Sequence, residues 1–160
     1  MENNIIFDAY YLISLFNKDE KPITQLQVQK IMYFFEAYYM AINSDIQQLY
    51  PCHFNAWAFG PVAIPLYKEF KEFGENPITL TREKEELGKN ILADKRRRLD
   101  YIYEIFGGLS AMKLVELTHR TDSPWYSTWM KNGSKVVYGE QSYINKIESR
   151  DWFRRVFMNG

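Results

Sequence analysis

The chain has 160 residues, with 20 basic and 20 acidic side chains and therefore no formal net charge at neutral pH. This length fits one domain spanning residues 1–160, and the lack of a basic excess argues against a protein that binds mainly by neutralising nucleic-acid phosphates. Cys52 is the only cysteine, which excludes an internal disulfide, a redox pair and a cysteine zinc knuckle, and which fits a reducing cytoplasm.

The first predicted element is an amphipathic helix from about Asn4 to Phe16, where apolar side chains recur at helical spacing. The same segment has no basic region ahead of a long apolar run, and nowhere do about eighteen apolar residues follow one another. We therefore expect no secretion signal and no membrane span, and we assign the chain to the cytoplasm.

The second predicted helix has the best-marked start in the chain. Thr24 is a favoured N-cap residue, and Gln27 lies three positions later, where its side chain can reach back to the cap. Apolar residues then extend beyond one stripe, which predicts a central, largely buried helix. Lys30 lies inside this apolar run. It is either a charged group held near a groove or, as we favour, a lysine with a packed stem and an ammonium that reaches water.

The stretch FNAWAFGPVAIPLYKEFKEFG, residues 54–74, begins with alternating side chains that predict a short strand carrying Trp57. Gly60-Pro61 is expected to end this strand and turn the chain, because proline removes a backbone donor and biases the preceding residue away from helix. The sequence thus predicts a strand, a turn and then a helix.

That helix starts at Pro65, a residue suited to a first helical turn, and stops at Gly74. Helical spacing turns one face inward and leaves Tyr67 and Lys71 on the adjoining face. The inward residues are Leu66, Phe70 and Phe73. We therefore expect this unit to hold Trp57 and Tyr67 on a fixed frame.

The polar segment that follows contains a candidate second strand at residues 78–81, which could pair with the first. A helix through residues 92–106 is ended by two glycines, and Ser110 caps a short helix after it. Ser123 as N-cap and Pro124 at the first helical position start another helix.

The last part of the chain has a β-prone stretch at residues 135–138 and a final helical stretch through Trp152, Phe153 and Phe157. Together the patterns predict a mainly α fold, a compact bundle of about six helices with a small β-ribbon.

Few residues could carry catalysis or bind a metal. The histidines are His53 and His119, so a zinc site would need both, Cys52 and a carboxylate brought together by the fold. A nucleophilic pair could use Cys52 and His119. No phosphate-binding glycine loop, G-x-S-x-G elbow or H-E-x-x-H motif is present. We therefore predict a protein that is not an enzyme and needs no cofactor.

A basic run, Lys95 to Arg98, invites a nucleic-acid interpretation. Four consecutive residues point around a helix instead of forming one face, and acidic residues lie near enough to pair with them. We favour a solvated helix face, with an acidic partner surface or nucleic acid as the alternatives.

Three blocks stand out in the sequence: LQVQKIMYFFEAYY, FNAWAFGPVAIPLYKEFKEFG and LVELTHRTDSPWYSTW. Together they resemble the Panacea antitoxin domain family, which includes SocA-like and phage-associated GepA-like proteins. They occur in the expected order between Leu26 and Trp129, and Val28 and Met32 replace leucines of the family pattern. The matching positions are Gln29, Lys30, Tyr33, Trp57, Gly60, Pro61, Val62, Tyr67, Phe70, Leu117, Thr118, His119, Pro124 and Trp125. The resemblance implies a predominantly helical antitoxin that neutralises a cognate toxin by protein contact, and in some relatives delivers it to a protease.

The leading hypothesis is therefore an antitoxin that binds its toxin through one apolar and aromatic surface. The alternatives are a DNA-binding regulator of its own operon that uses Arg96 to Arg98, and an enzyme built on Cys52 and His119. The candidate partner-binding residues are Trp57, Tyr67, Lys71, Lys30 and His119. His119 ends a helix, where a protonated ring is favoured and can bond free carbonyls, so a structural corner is its other role.

Overall fold

The computed structural model describes residues 3–158, and these form eight α-helices and a two-stranded antiparallel ribbon. The mainly α class with a small ribbon is confirmed. The helices are α1 (Ile5–Lys18), α2 (Gln25–Ile42), α3 (Ile64–Phe70), α4 (Arg82–Lys89), α5 (Ala93–Phe106), α6 (Ala111–Thr118), α7 (Pro124–Lys131) and α8 (Lys146–Phe153), and the strands are β1 (Phe54–Trp57) and β2 (Gly60–Ala63). Short 3-10 turns follow α3 (Lys71–Phe73) and precede α8 (Glu140–Ser142), and one π-helical turn (Arg154–Met158) follows α8.

Helix α2 lies at the centre of the molecule. Its predicted capping box is present: the Thr24 backbone N–H donates to the Gln27 side chain, and the Thr24 side chain accepts from the helix backbone. The helix packs against α1, α3, α5, α6, α8 and β2. Phe34, which is fully buried, stacks on Phe106 with ring centroids 4.6 Å apart and also contacts the aromatic side chains of α8. The prediction of a central, buried helix is confirmed.

The predicted start residues of the later helices are also confirmed. The side chain of Ser110 accepts from the backbone of Lys113 at the start of α6. Ser123 does the same for Tyr126 at the start of α7, with Pro124 at the first helical position. Local capping chemistry is thus a dependable signal in this chain.

The ribbon differs from the prediction. Gly60-Pro61 does not end the strand and turn the chain, because these two residues begin β2 and the turn is Ala58-Phe59. In the register, Trp57 pairs with Gly60 and Phe54 with Ala63. A two-residue loop is the commonest hairpin connection, and Gly60, at φ +109°, takes a backbone conformation that a side chain would strain.

Residues 78–81 are not the second strand, and residues 135–138 form no strand. The backbone N–H of Ile78 instead donates to the carbonyl of Ile23, ahead of α2. Beside β1, Asn55 forms an isolated bridge with Tyr143. The ribbon therefore contains only β1 and β2 among the described residues.

Helix α4 was not predicted, and it raises the helix count above the expected six. Its sequence is polar, and it contains Gly88, a residue of low helix propensity. Gly88 in fact lies within the helix and against α1, where an added Cβ would come within 2.7 Å of the Tyr11 nitrogen. The glycine lets two helix backbones approach closely, so packing overrides its low helix propensity.

Lys95 corrects the prediction that the basic run forms a solvated face. Its ammonium is buried and donates to both carboxylate oxygens of Asp8 at 2.9 Å, which joins α5 to α1. Arg96 caps the end of α4 by donating to the carbonyls of Lys89 and Ile91. Arg97 and Arg98 pair with Asp94 on the outer side of the helix, as predicted, so the run is divided between the fold and a solvated face.

Helices long and apolar enough to cross a membrane are absent from residues 3–158.

Candidate functional site

The three sequence blocks meet at Gly60. An added Cβ there would lie 2.8 Å from Lys30 Cε of α2 and 2.8 Å from Thr118 Oγ1 of α6. The ammonium of Lys30 donates to the carbonyl of Pro61 at 2.9 Å. Gly60 is therefore required both by its positive φ and by the two side chains that touch it.

Side chains from two helices bind the backbone of the hairpin on either side. Gln29 of α2 accepts from the Ala63 N–H at 2.8 Å and donates to the Ala63 carbonyl at 3.0 Å. On the other strand, Trp125 Nε1 of α7 donates to the Trp57 carbonyl at 2.8 Å. Exposed strand edges carry unpaired donors and acceptors, and these bonds satisfy them while fixing the hairpin against the helices.

Lys30 is fully buried, so the prediction that its ammonium reaches water is wrong. Within residues 3–158 the Pro61 carbonyl is its hydrogen-bond acceptor, and no carboxylate lies within salt-bridge distance. Burial lowers the pKa of Lys30 from 10.5 to about 7, because the charged form loses its hydration. Its position beside a groove agrees with the other interpretation, but the lowered pKa means that the amine is charged only part of the time near pH 7.

His119 is the C-cap residue of α6, and its ring stacks on Trp125 with centroids 3.8 Å apart. Burial, with the neighbouring charge of Lys30, lowers the pKa of His119, which opposes the expected preference for a protonated ring. Nε2 is buried without a hydrogen-bond partner in the described structure. The stacked ring and the buried Trp125 make this a structural corner.

An open groove of about 810 Å³ lies beside this hairpin. Its apolar wall is formed by the start of α2, the hairpin tip, α3, the start of α6 and the segment after α7. The main apolar residues that line it are Leu26, Trp57, Ala58, Phe59, Val62, Tyr67, Ala111, Met112 and Val136. We call this the aromatic groove. Phe59 is 63% exposed, Met112 59% and Tyr67 42%, so large apolar side chains face solvent together here.

The structure brings three of the five predicted partner-binding residues to the aromatic groove: Trp57, Tyr67 and Lys30. The rings of Trp57 and Tyr67 contact edge-to-face, 5.9 Å apart. Lys71 is exposed on the 3-10 turn after α3 but does not line the groove, and neither does His119. The prediction of a frame holding Trp57 and Tyr67 together agrees with this geometry.

Phe59, Met112 and Val136 also line the groove, and no sequence pattern had indicated them as binding residues. Phe59 was missed because the turn was placed at Gly60-Pro61, whereas a turn at Ala58-Phe59 would have put this ring at the exposed hairpin tip. Met112 and Val136 come from distant segments, and no local pattern indicates that these approach the hairpin.

Cys52 and His53 line a different, smaller pocket of about 250 Å³, whose lining does not include His119. Burial raises the pKa of the Cys52 thiol, which opposes formation of the nucleophilic thiolate. His53 stacks on Tyr143 at 4.2 Å. Among the residues that the structure describes, no group of three His, Cys, Asp or Glu side chains could hold a metal ion. This geometry favours neither the Cys52–His119 pair nor the zinc alternative.

The three sequence blocks that resemble the Panacea family thus converge on the clamped hairpin. The chain belongs to the antitoxin SocA-like, Panacea domain family, whose model matches residues 28–126. A relative named Antitoxin SocA, from Caulobacter vibrioides (strain NA1000 / CB15N), is 28% identical over 144 residues, which covers 84% of this chain and 75% of that protein. No solved structure gives a significant match. The resemblance stated from the sequence is thereby confirmed.

Proposed function

We propose that this protein is a cytoplasmic antitoxin that neutralises a cognate protein toxin by binding it in the aromatic groove. Membership of the SocA-like antitoxin family supports the antitoxin role. The observation that carries the docking site is the exposure of Phe59, Tyr67 and Met112 around one open groove. Aromatic and methionine side chains of this kind are enriched in protein interfaces.

The frame beneath the groove suits a binding surface. Gln29, Lys30 and Trp125 fix the hairpin backbone by hydrogen bonds, so Trp57 and Phe59 project from a rigid support. A surface that is ordered before binding loses less conformational entropy on association. Burial of the apolar surface of the groove can therefore contribute to binding affinity with little rearrangement of the protein.

The test compares two aromatic side chains of α3 that differ in exposure. Tyr67→Ala should keep the melting temperature nearly unchanged and weaken toxin binding by about 1 kcal/mol or more, because Tyr67 lines the groove and is exposed. Phe70→Ala should lose about 3–5 kcal/mol of stability, because Phe70 is buried, and should impair function only through unfolding. The measurements are thermal denaturation, pull-down with the protein encoded by the neighbouring reading frame, and rescue of growth on co-expression.

Tyr101→Ala is the matched control, since Tyr101 is 49% exposed on α5 and lies outside the groove. It should retain both binding and rescue. If Tyr67→Ala is folded and still rescues fully, the toxin docks elsewhere. Toxin levels during rescue separate the two modes of neutralisation, because occlusion leaves the toxin intact whereas delivery to a protease depletes it.

A further inference from the structure

Trp57 lines a second cavity besides the aromatic groove, the pocket of about 250 Å³ that also contains His53 in its lining. We call it the His53 pocket. Its aromatic lining residues are His53, Trp57, Tyr138 and Tyr143. The rings of His53 and Tyr143 lie parallel with centroids 4.2 Å apart, whereas the planes of Trp57 and Tyr138 stand 79° apart with centroids at 6.1 Å. Four rings from two distant segments therefore line one small pocket.

The His53 pocket is open to solvent along its tyrosine wall. Tyr138 is 73% exposed and Tyr143 38%, and they flank the 3-10 turn Glu140–Ser142. The pocket is smaller than the groove and smaller than the cavities of about 300–1,000 Å³ that hold drug-sized ligands. It therefore suits a single side chain better than a whole segment of a partner.

The charges around the His53 pocket favour a cation. Three charged side chains act on the His53 ring: Lys146, Glu36 and Glu140. Lys146 and Glu36 form a buried pair at 2.9 Å and largely cancel each other. The remaining charge, Glu140, is exposed directly after Gly139 of the lining. Burial and then the charge of Lys146 lower the pKa of His53, which favours the neutral ring and removes a source of repulsion.

We propose that the His53 pocket binds the cationic head of a lysine or arginine side chain from the protein that docks in the aromatic groove. The inference rests on the proposed function and specifies one anchor of the bound protein. Aromatic ring faces attract cations through the ring quadrupole, and Glu140 adds negative charge beside them. Because Trp57 lines both cavities, a partner in the groove lies beside the pocket. A carboxylate in the pocket would be repelled by Glu140, and an apolar side chain would gain no cation–π attraction.

The first test uses two small probes and needs no toxin. The probes n-butylammonium and 1-butanol have equal chain lengths and differ in charge. We expect n-butylammonium to shift the NMR signals of the Tyr138 and Tyr143 rings and to bind about three- to tenfold more tightly than 1-butanol, which is the scale of a cation–π contact at a partly exposed site. Equal affinity of the two probes, or shifts that avoid these rings, would overturn the proposal.

Two variants locate the site. Tyr138→Ala removes a mostly exposed ring, so it should keep its melting temperature and lose most of the preference for n-butylammonium. Tyr101→Ala is the control, because this exposed ring of α5 lies outside the pocket, and it should keep the preference. A Tyr138→Ala protein that retains the full preference would contradict the assignment of the pocket.

Toxin pull-down then tests the source of the cation. Tyr138 does not line the aromatic groove, so Tyr138→Ala should weaken toxin binding severalfold while leaving the groove intact. Full toxin binding by Tyr138→Ala would refute the inference and leave the proposed function standing. A pocket that prefers n-butylammonium in a protein that neutralises no toxin would instead refute the proposed function, and with it the toxin as the source of the cation.

Discussion

Lys30 has no route to water because α2 is apolar well beyond one stripe and is packed on several sides. The sequence contains the information needed to predict this burial. A helix that is apolar around most of its circumference leaves no solvated face for an ammonium to reach, although a lysine in isolation is usually found with its charge in water. The apolar pattern predicts that α2 is largely buried, whereas the usual behaviour of lysine predicts an ammonium in water. These two expectations conflict, and the pattern of the whole helix gives the correct answer.

The lowered pKa of Lys30 has a measurable consequence for stability. Between the folded value of about 7 and the ordinary value of 10.5, the unfolded chain binds more protons than the folded one, so the free energy of unfolding rises with pH. From pH 7 to 9 this gain should be about 2 kcal/mol. Urea unfolding at these two pH values measures it.

Lys30→Met should remove this gain, while the exposed Lys89→Met should keep it. The upper limit of pH 9 avoids tyrosines such as Tyr33, whose pKa is raised by burial and whose unfolded form ionises near pH 10. An equal pH dependence in Lys30→Met and the unmodified protein would show that Lys30 is not the responsible group.

At the scale of elements, the β1–β2 hairpin shows what local patterns can and cannot predict. The alternating residues from Phe54 to Trp57 indicated β1 correctly, and Ser123 and Pro124 marked the start of α7. Gly60 and Pro61 were placed in the wrong element, because the requirement for glycine comes from Lys30 and Thr118, which are remote in sequence. Tertiary contacts of this kind leave no periodic signal.

Gly60→Ala should therefore destabilise the protein by about 1–3 kcal/mol, through a strained positive φ and contacts with Lys30 Cε and Thr118 Oγ1. Gly108→Ala is the control, because nothing lies within 4 Å of its added Cβ and its φ is not positive. Chemical denaturation gives both values. If the Gly60→Ala protein is as stable as the Gly108→Ala protein, the side chains of Lys30 and Thr118 do not restrict the space beside residue 60.

At the scale of the whole molecule, buried ion pairs join elements that are far apart in sequence. Asp8 pairs with Lys95 and accepts from the Tyr50 hydroxyl at 2.6 Å, while Lys146 of α8 pairs with Glu36 of α2 at 2.9 Å. Asp8 and Lys95 lie on the inward stripes of their helices, so their burial could have been inferred from spacing. Their pairing could not, since it depends on how α1 and α5 pack.

Removing one partner of the Asp8–Lys95 pair should be costly. Lys95→Met leaves a buried carboxylate without its cation, for which about 3–5 kcal/mol is typical. Asp8→Asn added to Lys95→Met should recover much of this loss, because the amide is uncharged and still accepts from Tyr50. A double-mutant cycle by urea unfolding measures the coupling, with the exposed Lys89–Glu85 pair as a weakly coupled reference. Additive effects of Asp8→Asn and Lys95→Met would contradict the pairing.

The contact of α2 with α8 also sets an order of events during synthesis on the ribosome. Phe34 is covered in part by Trp152 and Phe153, which are translated more than a hundred residues later. At ordinary elongation rates α2 therefore waits on the order of ten seconds for these partners. During that interval its rings are open to chaperones and proteases, so nascent chains should be far more vulnerable to degradation than the finished protein.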